Sequence, residues 1–420
     1  MNLLEGKKIL LGVTGSISIY KSLELLRLFI KNGAKVKVIM SESAKRFILP
    51  RTFEAAGSQK VLDETTEDWS NRENHIHVTQ DYDILVIAPA TANSINKLSN
   101  GIADNLLLQT ALAFDKKKII APAANTNMYQ NSFTQASLKL LKLNGYDIVE
   151  PQTKELACKT IGEGALADVQ TIFFKVARKL LEDEFWVDRY AIVTGGGTIE
   201  KIDSVRFISN FSSGKQAKAI AKALYLKGAK VEFITTKEFD DLPPFEVFKV
   251  QSAKEMYEYL KNRINIAKKG VLKKPDLIND LSTPQLIQKK PYLFMVAAVS
   301  DYRPKYPQDK KLKKEQLGDE WSLKLVKNID ILQDIDKDGI ITIGFKAETN
   351  EQQALDSAKK MLNKKNLDAV CLNLVKGVTK FGSDKNSIIY ISKDKTFQGP
   401  LKDKLELSFD LIEIAKELDE

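Results

Sequence analysis

Two stretches of this 420-residue chain open in the same way, and that shared opening constrains the fold more than any other feature. The first, KKILLGVTGSISIYKSLELLRLFIKNGAKVKVIM, reads as strand, glycine turn, amphipathic helix and strand. The second starts at Asp188 with DRYAIVTGGGTIEKID and continues through SGKQAKAIAKALYLKGAKVEFIT. In each, an apolar β-rich run ends in Val-Thr-Gly. A helix follows with apolar residues three and four apart, and Gly-Ala-Lys-Val opens the next strand. Strands that alternate with helices predict parallel, doubly wound sheets. The chain is therefore read as α/β, with two Rossmann-like, mostly parallel-sheet domains in series. The division falls in LEDEFWVDRY, giving domains at 1–185 and 186–420.

Further strands are expected at DILVIAPA (83–90), KKIIAPAA (117–124) and YDIVEP (146–151) in the first half. The second half adds YLFMVAAVS (292–300), IITIGF (340–345), LDAVCLN (367–373) and SIIYIS (387–392), with a helix ending the chain. Residues 264–290 have weak periodicity and read as the extension of a helix plus a loop.

Composition narrows the class. A hydrophobic content of 43% is enough for two sizeable cores. No apolar run approaches the roughly 18 residues that a membrane span needs. The N-terminus enters a strand pattern at once, which leaves no room for a signal peptide. The two cysteines, Cys158 and Cys371, are far apart and fit a reducing cytoplasm. The net charge of +9 reads first as a lysine-rich solvated surface, and alternatively as an attraction for phosphorylated small molecules. No basic run is interleaved with aromatics, which argues against nucleic acid.

In open parallel sheets, ligands sit beyond the carboxyl ends of strands. The unusual sequence gathers there. GVTGSIS places Gly15 and Ser16 at a strand-to-helix turn, whose N–H groups and helix dipole suit a phosphate. The same pattern is also what a tight turn needs, since the full dinucleotide fingerprint is missing. APATANSINKLSNGIADN follows its strand with Thr91, Asn93, Ser94 and Asn96, and APAANTNMY follows with Asn125 and Asn127. One of these groups would serve as a helix cap or turn. Three neighbouring strand ends rich in carboxamides and hydroxyls favour a flavin or nucleotide pocket. In the second half, three glycines in TGGGTIEKIDSVRFISNFSSGK let backbone approach a ligand, and Ser212, Ser213 and Gly214 form a second small-residue turn suited to an anion.

Taken together and in order, these segments resemble the bifunctional phosphopantothenoylcysteine decarboxylase / phosphopantothenate–cysteine ligase family of bacterial coenzyme A synthesis. The resemblance rests on VTGSISIYK, HIHV, APATANSINKLSNGIADNLL, PAANTNMY and LAC…GEG. It continues through VTGGGTIEKIDSVRFISNFSSGK, AAVSDYRP, KLKK, LVKNIDIL, GFKAET and FGSDKN. It implies that the first half is a homo-oligomeric, flavodoxin-like protein that binds FMN and decarboxylates 4′-phosphopantothenoylcysteine. Loss of CO₂ needs an electron acceptor. Oxidising the thiol to a thioaldehyde creates one, and the enethiolate left behind takes the hydride back. The family's flavin positions fall on Gly15, Ser16, Ser41, Thr91, Ala92, Asn93 and Ser94. His75 falls on its catalytic histidine, Asn125 on the residue that holds the substrate carboxylate, and Cys158 on the flap cysteine that protonates the enethiolate. Cys371, in an apolar strand, is read as inert. His75 and His77, the only histidines, would share one side of a strand, which leaves a metal pair open although no convincing third ligand accompanies them; His77 is otherwise read as a bystander.

The second half is implied to be the ligase. It would use CTP and Mg²⁺ to turn 4′-phosphopantothenate into an acyl-cytidylate, which the amine of cysteine attacks. Lys311 matches the lysine needed to form that intermediate, and Asn210 the asparagine needed to turn it over. CTP and substrate positions fall on Arg206, Met295, Val296, Ala297, Asp301, Lys327, Asn328, Phe345 and Lys365; metal ligands are unassigned. The resemblance further implies decarboxylase trimers, ligase dimers and a cytoplasmic location. There are departures. Lys159 stands where the flap usually has glycine, Ala165 where it has arginine, Ser16 where the first turn has glycine, and Ile329 where the KNPDI pattern has proline. Two other readings differ in class: a regulatory flavoprotein of the same fold, and a peptidyl-cysteine decarboxylase. Retention of His75, Asn125 and Cys158 argues against the first, and the full ligase motif set against the second.

Overall fold

A computed structural model of the chain describes residues 2–155, 161–273, 275, 283–375 and 382–419. The fold consists of two compact units: the first holds Met1–Leu181 and, from the later segment, the described residues 275 and 283–285; the second is built from Glu182–Lys273 and Leu286–Glu420.

The first unit is a five-stranded parallel sheet. Its strands are β1 (Lys8–Val13), β2 (Lys35–Met40), β3 (Ile84–Ala90), β4 (Lys117–Pro122) and β5 (Tyr146–Ile148), in the order β2-β1-β3-β4-β5. That is the flavodoxin-like arrangement of a doubly wound sheet. β3 is buried along its whole length, which is why its sequence is an unbroken apolar run. The helix Tyr20–Lys31 turns Ser22, Leu25, Leu26 and Phe29 inward, and Gly33 follows it in a left-handed conformation (φ 92°) that lets the chain reverse into β2. Outside this sheet, β6 (Gln152–Glu155) and β7 (Ile161–Ala165) form an antiparallel pair.

The second unit repeats the logic with eight strands. β8 (Tyr190–Gly195), β11 (Lys230–Thr235), β12 (Glu246–Lys249), β15 (Tyr292–Met295), β18 (Ile341–Glu348), β19 (Ala369–Leu374), β21 (Ile388–Ser392) and β22 (Thr396–Gln398) lie in the order β12-β11-β8-β15-β18-β19-β21-β22. The first six are parallel and keep the Rossmann order; β21 and β22 extend the sheet antiparallel. Four two-stranded ribbons decorate it: β9 (Ile199–Lys201) with β10 (Phe207–Ser209), β13 (Val271–Lys273) with β14 (Gln285–Ile287), β16 (Tyr302–Pro304) with β17 (Leu325–Lys327), and β20 (Lys385–Asn386) with β23 (Lys402–Asp403). A terminal helix spans Lys404–Ile414. The helix before residue 270 ends at Ala267, and a strand rather than a loop follows Gly270.

The histidine segment departs from the expected strand. His75 lies in a turn and His77 begins the helix His77–Asp81. The cause is Asn74, which is fully buried and accepts the N–H groups of Ile76 (3.1 Å) and His77 (3.0 Å) on its side-chain oxygen. Such a local bond competes with strand pairing and wins here because β3 starts only at Ile84.

Candidate functional site

Each sheet has one point where successive strands leave in opposite directions, and the crevice above it is where a ligand fits. In the first unit this lies between β1 and β3. Thr14, buried at the end of β1, donates its hydroxyl to the Pro89 carbonyl (2.7 Å) and accepts the Thr91 N–H (3.0 Å), so it stitches the two strand ends together. Ser16 caps the short helix Ile17–Ile19 that leads into Tyr20–Lys31. Thr91 caps Ala92–Ser99 and lies 3.1 Å, oxygen to oxygen, from the Ser94 hydroxyl. Ser41 comes from the end of β2, held by its N–H to the Val13 carbonyl (3.1 Å). A Cβ on Gly15 would sit 2.7 Å from that of Ser43, so only glycine lets the β2 loop close over the turn. Gly15, Ser16, Ser41, Thr91 and Ser94 thus share one rim; Ala92 is buried beneath it and Asn93 is exposed.

Asn125 lies one strand further on. It follows β4 and caps Thr126–Gln130 by accepting the Asn127 N–H (3.0 Å). β7 lies against this turn: the Ala124 N–H reaches the Gly164 carbonyl at 2.9 Å, and a Cβ on Gly162 would meet the Thr126 hydroxyl at 2.0 Å. Cys158 and Lys159 lie outside the described residues, between β6 and β7 in sequence. A cleft of about 530 Å³ borders Asn93, Asn96, Met128, Asn131 and Phe133. The side-chain oxygen of Asn96 is buried there without a partner among the described residues. Met128 and Phe133, both exposed, drew no attention in the sequence because single apolar residues on a helix face are ordinary.

His75 is held differently. Its Nδ1 lies 2.7 Å from a carboxylate oxygen of Glu67, and the Trp69 ring meets it edge-on at 5.5 Å. His77 turns instead to Asn74, Nδ1 to the amide nitrogen at 2.7 Å. The two rings take different partners, and among the described residues no three His, Cys, Asp or Glu side chains form a group that could hold a metal ion. The His75 segment follows Leu62, which bridges to β2 at Ile39. In the sheet, β2 and β4 are separated by β1 and β3.

The crevice of the second unit lies between β8 and β15. The Gly196 carbonyl accepts the Ala298 N–H (2.8 Å), and a Cβ on Gly197 would sit 2.5 Å from the Asn210 carbonyl oxygen. Asn210 in turn donates its amide to the Val299 carbonyl (3.1 Å). Gly214 adopts φ 71° to start the helix Lys215–Leu226. A cleft here is lined by Ser212, Ser213, Gly214, Lys215, Val296, Ala297, Phe345 and Lys404. Burial, with the Lys215 charge, pushes the Lys404 ammonium below its usual value, so an incoming anion would relieve it. Met295 is buried under this cleft, and the Thr194 hydroxyl that contacts its sulfur also receives the Ala297 N–H at 3.2 Å.

Other predicted residues lie elsewhere. Lys327 and Asn328 line a separate, wider cleft of about 880 Å³ with Glu200, Ser252, Arg303 and Gln308. The Asn328 backbone N–H goes to the Asp301 carbonyl (2.8 Å) and its side-chain amide to the Ser300 carbonyl (3.0 Å). Lys365 pairs with Asp330 at 2.8 Å, outside both clefts. Lys311 is exposed. Its neighbour Leu312 donates an N–H to Asp203 (3.1 Å), which also binds the Arg206 guanidinium (3.0 Å) and the N–H groups of Val205 and Arg206 (2.7 Å each). Burial alone would raise the Asp203 carboxyl, but these N–H donors and the Arg206 charge hold it below the usual carboxylate range. Asp203 therefore joins the Arg206 and Lys311 segments, a role its place between two loops did not reveal.

Comparison with known proteins follows the same division. Residues 2–181 match the Flavoprotein family, and residues 186–273 and 281–418 match the DNA/pantothenate metabolism flavoprotein C-terminal domain. The chain is 35% identical over 416 residues to the Coenzyme A biosynthesis bifunctional protein CoaBC of Haemophilus influenzae, covering 97% of each. It is 35% identical over 421 residues to the Bacillus subtilis protein of that name, covering 98% of this chain and 97% of the relative. A crystal structure of the C-terminal domain of a CoaBC protein is 26% identical, covers 56% of this chain and 98% of that one, and has a TM-score of 0.43. With both halves matched in order and full-length relatives aligned end to end, the chain belongs to the bifunctional family of coenzyme A biosynthesis that joins a phosphopantothenoylcysteine decarboxylase to a phosphopantothenate–cysteine ligase.

Proposed function

We propose that the C-terminal unit couples 4′-phosphopantothenate to cysteine with CTP, through an acyl-cytidylate, and that the N-terminal unit then decarboxylates the product to 4′-phosphopantetheine with FMN. The observation that carries this reading is that both switch-point crevices are rimmed by the small and polar residues that phosphorylated ligands need.

The first crevice fits a flavin mononucleotide. The Gly15–Ser16 turn is closed on one side by Ser43 and presents the N-terminus of a helix, which suits a phosphate. Thr91, Asn93 and Ser94 are the donors and acceptors for a ring edge, with Ser41 beside them. When bound, FMN supplies a reversible hydride acceptor. The protein's part is to hold and protonate: Asn125 binds the substrate carboxylate by its amide, His75 handles a proton, and Cys158 is assigned the later protonation. We read the site that uses both His75 and Asn125 as one shared between neighbouring subunits. Exposed Ile17, Tyr20, Met128 and Phe133 support such an assembly, which we take to be decarboxylase trimers joined to ligase dimers.

In the second unit, Ser212–Gly214 and Lys215 would receive an anionic group, with Val296, Ala297 and Phe345 around the cytosine ring; Asp301 is assigned to the cytidine by the family's pattern alone. Lys311 and Arg206, joined through Asp203, would neutralise charge as the acyl-cytidylate forms, and Asn210 would orient it for attack by cysteine. Mg²⁺ would ride on the CTP phosphates. We take the enzyme to act in the cytoplasm, as the family resemblance implies. Among the described residues no helix is long and apolar enough to cross a membrane.

The test is a product assay with phosphopantothenate, cysteine, Mg²⁺ and either CTP or ATP. Pyrophosphate and carbon dioxide should appear together with CTP, from protein that is yellow and releases FMN on denaturation. Colourless protein that takes up no added FMN, or pyrophosphate without any carbon dioxide, would refute the decarboxylase half.

A further inference from the structure

The loop before β3 is built to hold one imidazole ring. Asp63 accepts the N–H groups of Thr65 (2.8 Å) and Thr66 (3.1 Å) and pairs with Lys45 (2.9 Å), which anchors the loop's start. Reciprocal backbone bonds between Asp68 and Glu73 (2.7 and 3.0 Å) close its middle. Glu73 pairs with Lys37, which is buried on β2, and Asn74 fixes the far end. His75 is therefore gripped on both sides before its ring makes any contact.

The ring itself is specified by Glu67. One carboxylate oxygen receives both the His75 backbone N–H (3.3 Å) and the ring Nδ1 (2.7 Å), and both side chains are 22% exposed. A carboxylate only accepts, so Nδ1 carries the proton; in the neutral ring Nε2 must then carry the lone pair. Among the described residues Nε2 has no hydrogen-bond partner, and Trp69 stands edge-on to the ring. His77 has no such instruction. Its Nδ1 faces the Asn74 amide, nitrogen at 2.7 Å and oxygen at 3.1 Å, and an amide can either donate or accept.

We propose that Glu67 is the positioning residue of His75: it fixes the Nδ1–H tautomer and leaves the lone pair on Nε2, the atom that exchanges a proton with substrate. The inference rests on the reading that His75 handles a proton during decarboxylation. The same arrangement of a carboxylate behind a working imidazole recurs wherever one tautomer must be held.

The chain's two histidines make the test clean. Full-length, FMN-loaded protein labelled with ¹⁵N-histidine gives two ring signatures, assigned with His77→Gln. At pH 8, wild type should show His75 with its proton on Nδ1. Glu67→Gln, in which the new amide can donate to Nδ1, should move that proton to Nε2. It should also lower kcat for decarboxylation of supplied 4′-phosphopantothenoylcysteine by roughly ten- to a hundredfold, with KM nearly unchanged. Glu67→Asp should restore the tautomer and part of the rate. CTP-dependent ligation should stay at the wild-type level in all of them, which reports that the chain is folded. If His75→Gln decarboxylates at full rate, the reading of His75 itself fails. If His75→Gln is inactive but Glu67→Gln keeps the wild-type tautomer or the wild-type kcat, the assignment of Glu67 is overturned.

Discussion

Replacing Gly197 with alanine should disable ligation while sparing decarboxylation. The added Cβ would lie 2.5 Å from the Asn210 carbonyl oxygen, a backbone atom that no side-chain rotation can move away. Ordinary carbon–oxygen contact needs about 1 Å more, at the ~3.5 Å typical of heavy atoms. The Asn210 loop must therefore shift by about that amount, and its 3.1 Å bond to the Val299 carbonyl is broken or strained. Overpacking of this kind costs about 1–3 kcal/mol. In a unit of this size that lowers the melting temperature by roughly 2–4 °C per kcal/mol. The functional cost is larger, because a 1 Å misplacement of a positioned group lowers a rate by about a hundredfold. The assay is pyrophosphate release with phosphopantothenate, cysteine and CTP, alongside carbon dioxide release from supplied 4′-phosphopantothenoylcysteine. Gly339→Ala is the control: Gly339 has φ 66° but nothing within 4 Å of an added Cβ, so it suffers backbone strain without a clash. Wild-type ligation by Gly197→Ala, or a loss no greater than in Gly339→Ala, would refute the reasoning.

Lys311→Gln should abolish CTP-dependent pyrophosphate release and leave decarboxylation of supplied substrate intact; loss of both would contradict independent sites. Cys158→Ser should accumulate an oxidised intermediate, seen as a new absorbance band, with ligation unchanged. Asp203→Asn should lower ligation by freeing the Arg206 and Lys311 segments from each other. It should also alter acid stability in a defined direction. The folded Asp203 carboxyl lies below its usual value, so the stability it contributes is complete above about pH 4 and fades only as pH falls through the lower folded value. The variant should therefore lose less stability than wild type between about pH 4 and pH 2, and an unchanged acid profile would count against the role given to Asp203.

Much of the fold was legible because it is local. Apolar runs of strand length, three- and four-residue helical spacing and Val-Thr-Gly turns gave the alternation that a parallel sheet requires, and β3, β4, β18 and β19 lie within a few residues of where those patterns put them. The histidine segment was misread for a local reason of another kind. HIHV alternates like a strand, but Asn74 beside it offers the backbone a competing partner. Residues that touch partners far along the chain were not legible at all. Asp203 meets Leu312 more than a hundred positions later, and nothing in either neighbourhood marks the other.

The sequence by itself determined the two α/β units, the glycine turns at their strand ends and the family whose motifs they carry, because periodicity and turn chemistry act over a few residues. Only the tertiary structure decided which strand lies beside which, and hence that Gly15, Ser41 and Thr91 share a rim. It also decided that Lys327 and Asn328 open onto a different cleft from Val296 and Phe345. Strand order and side-chain pairing depend on the whole chain closing on itself, which no window of sequence contains.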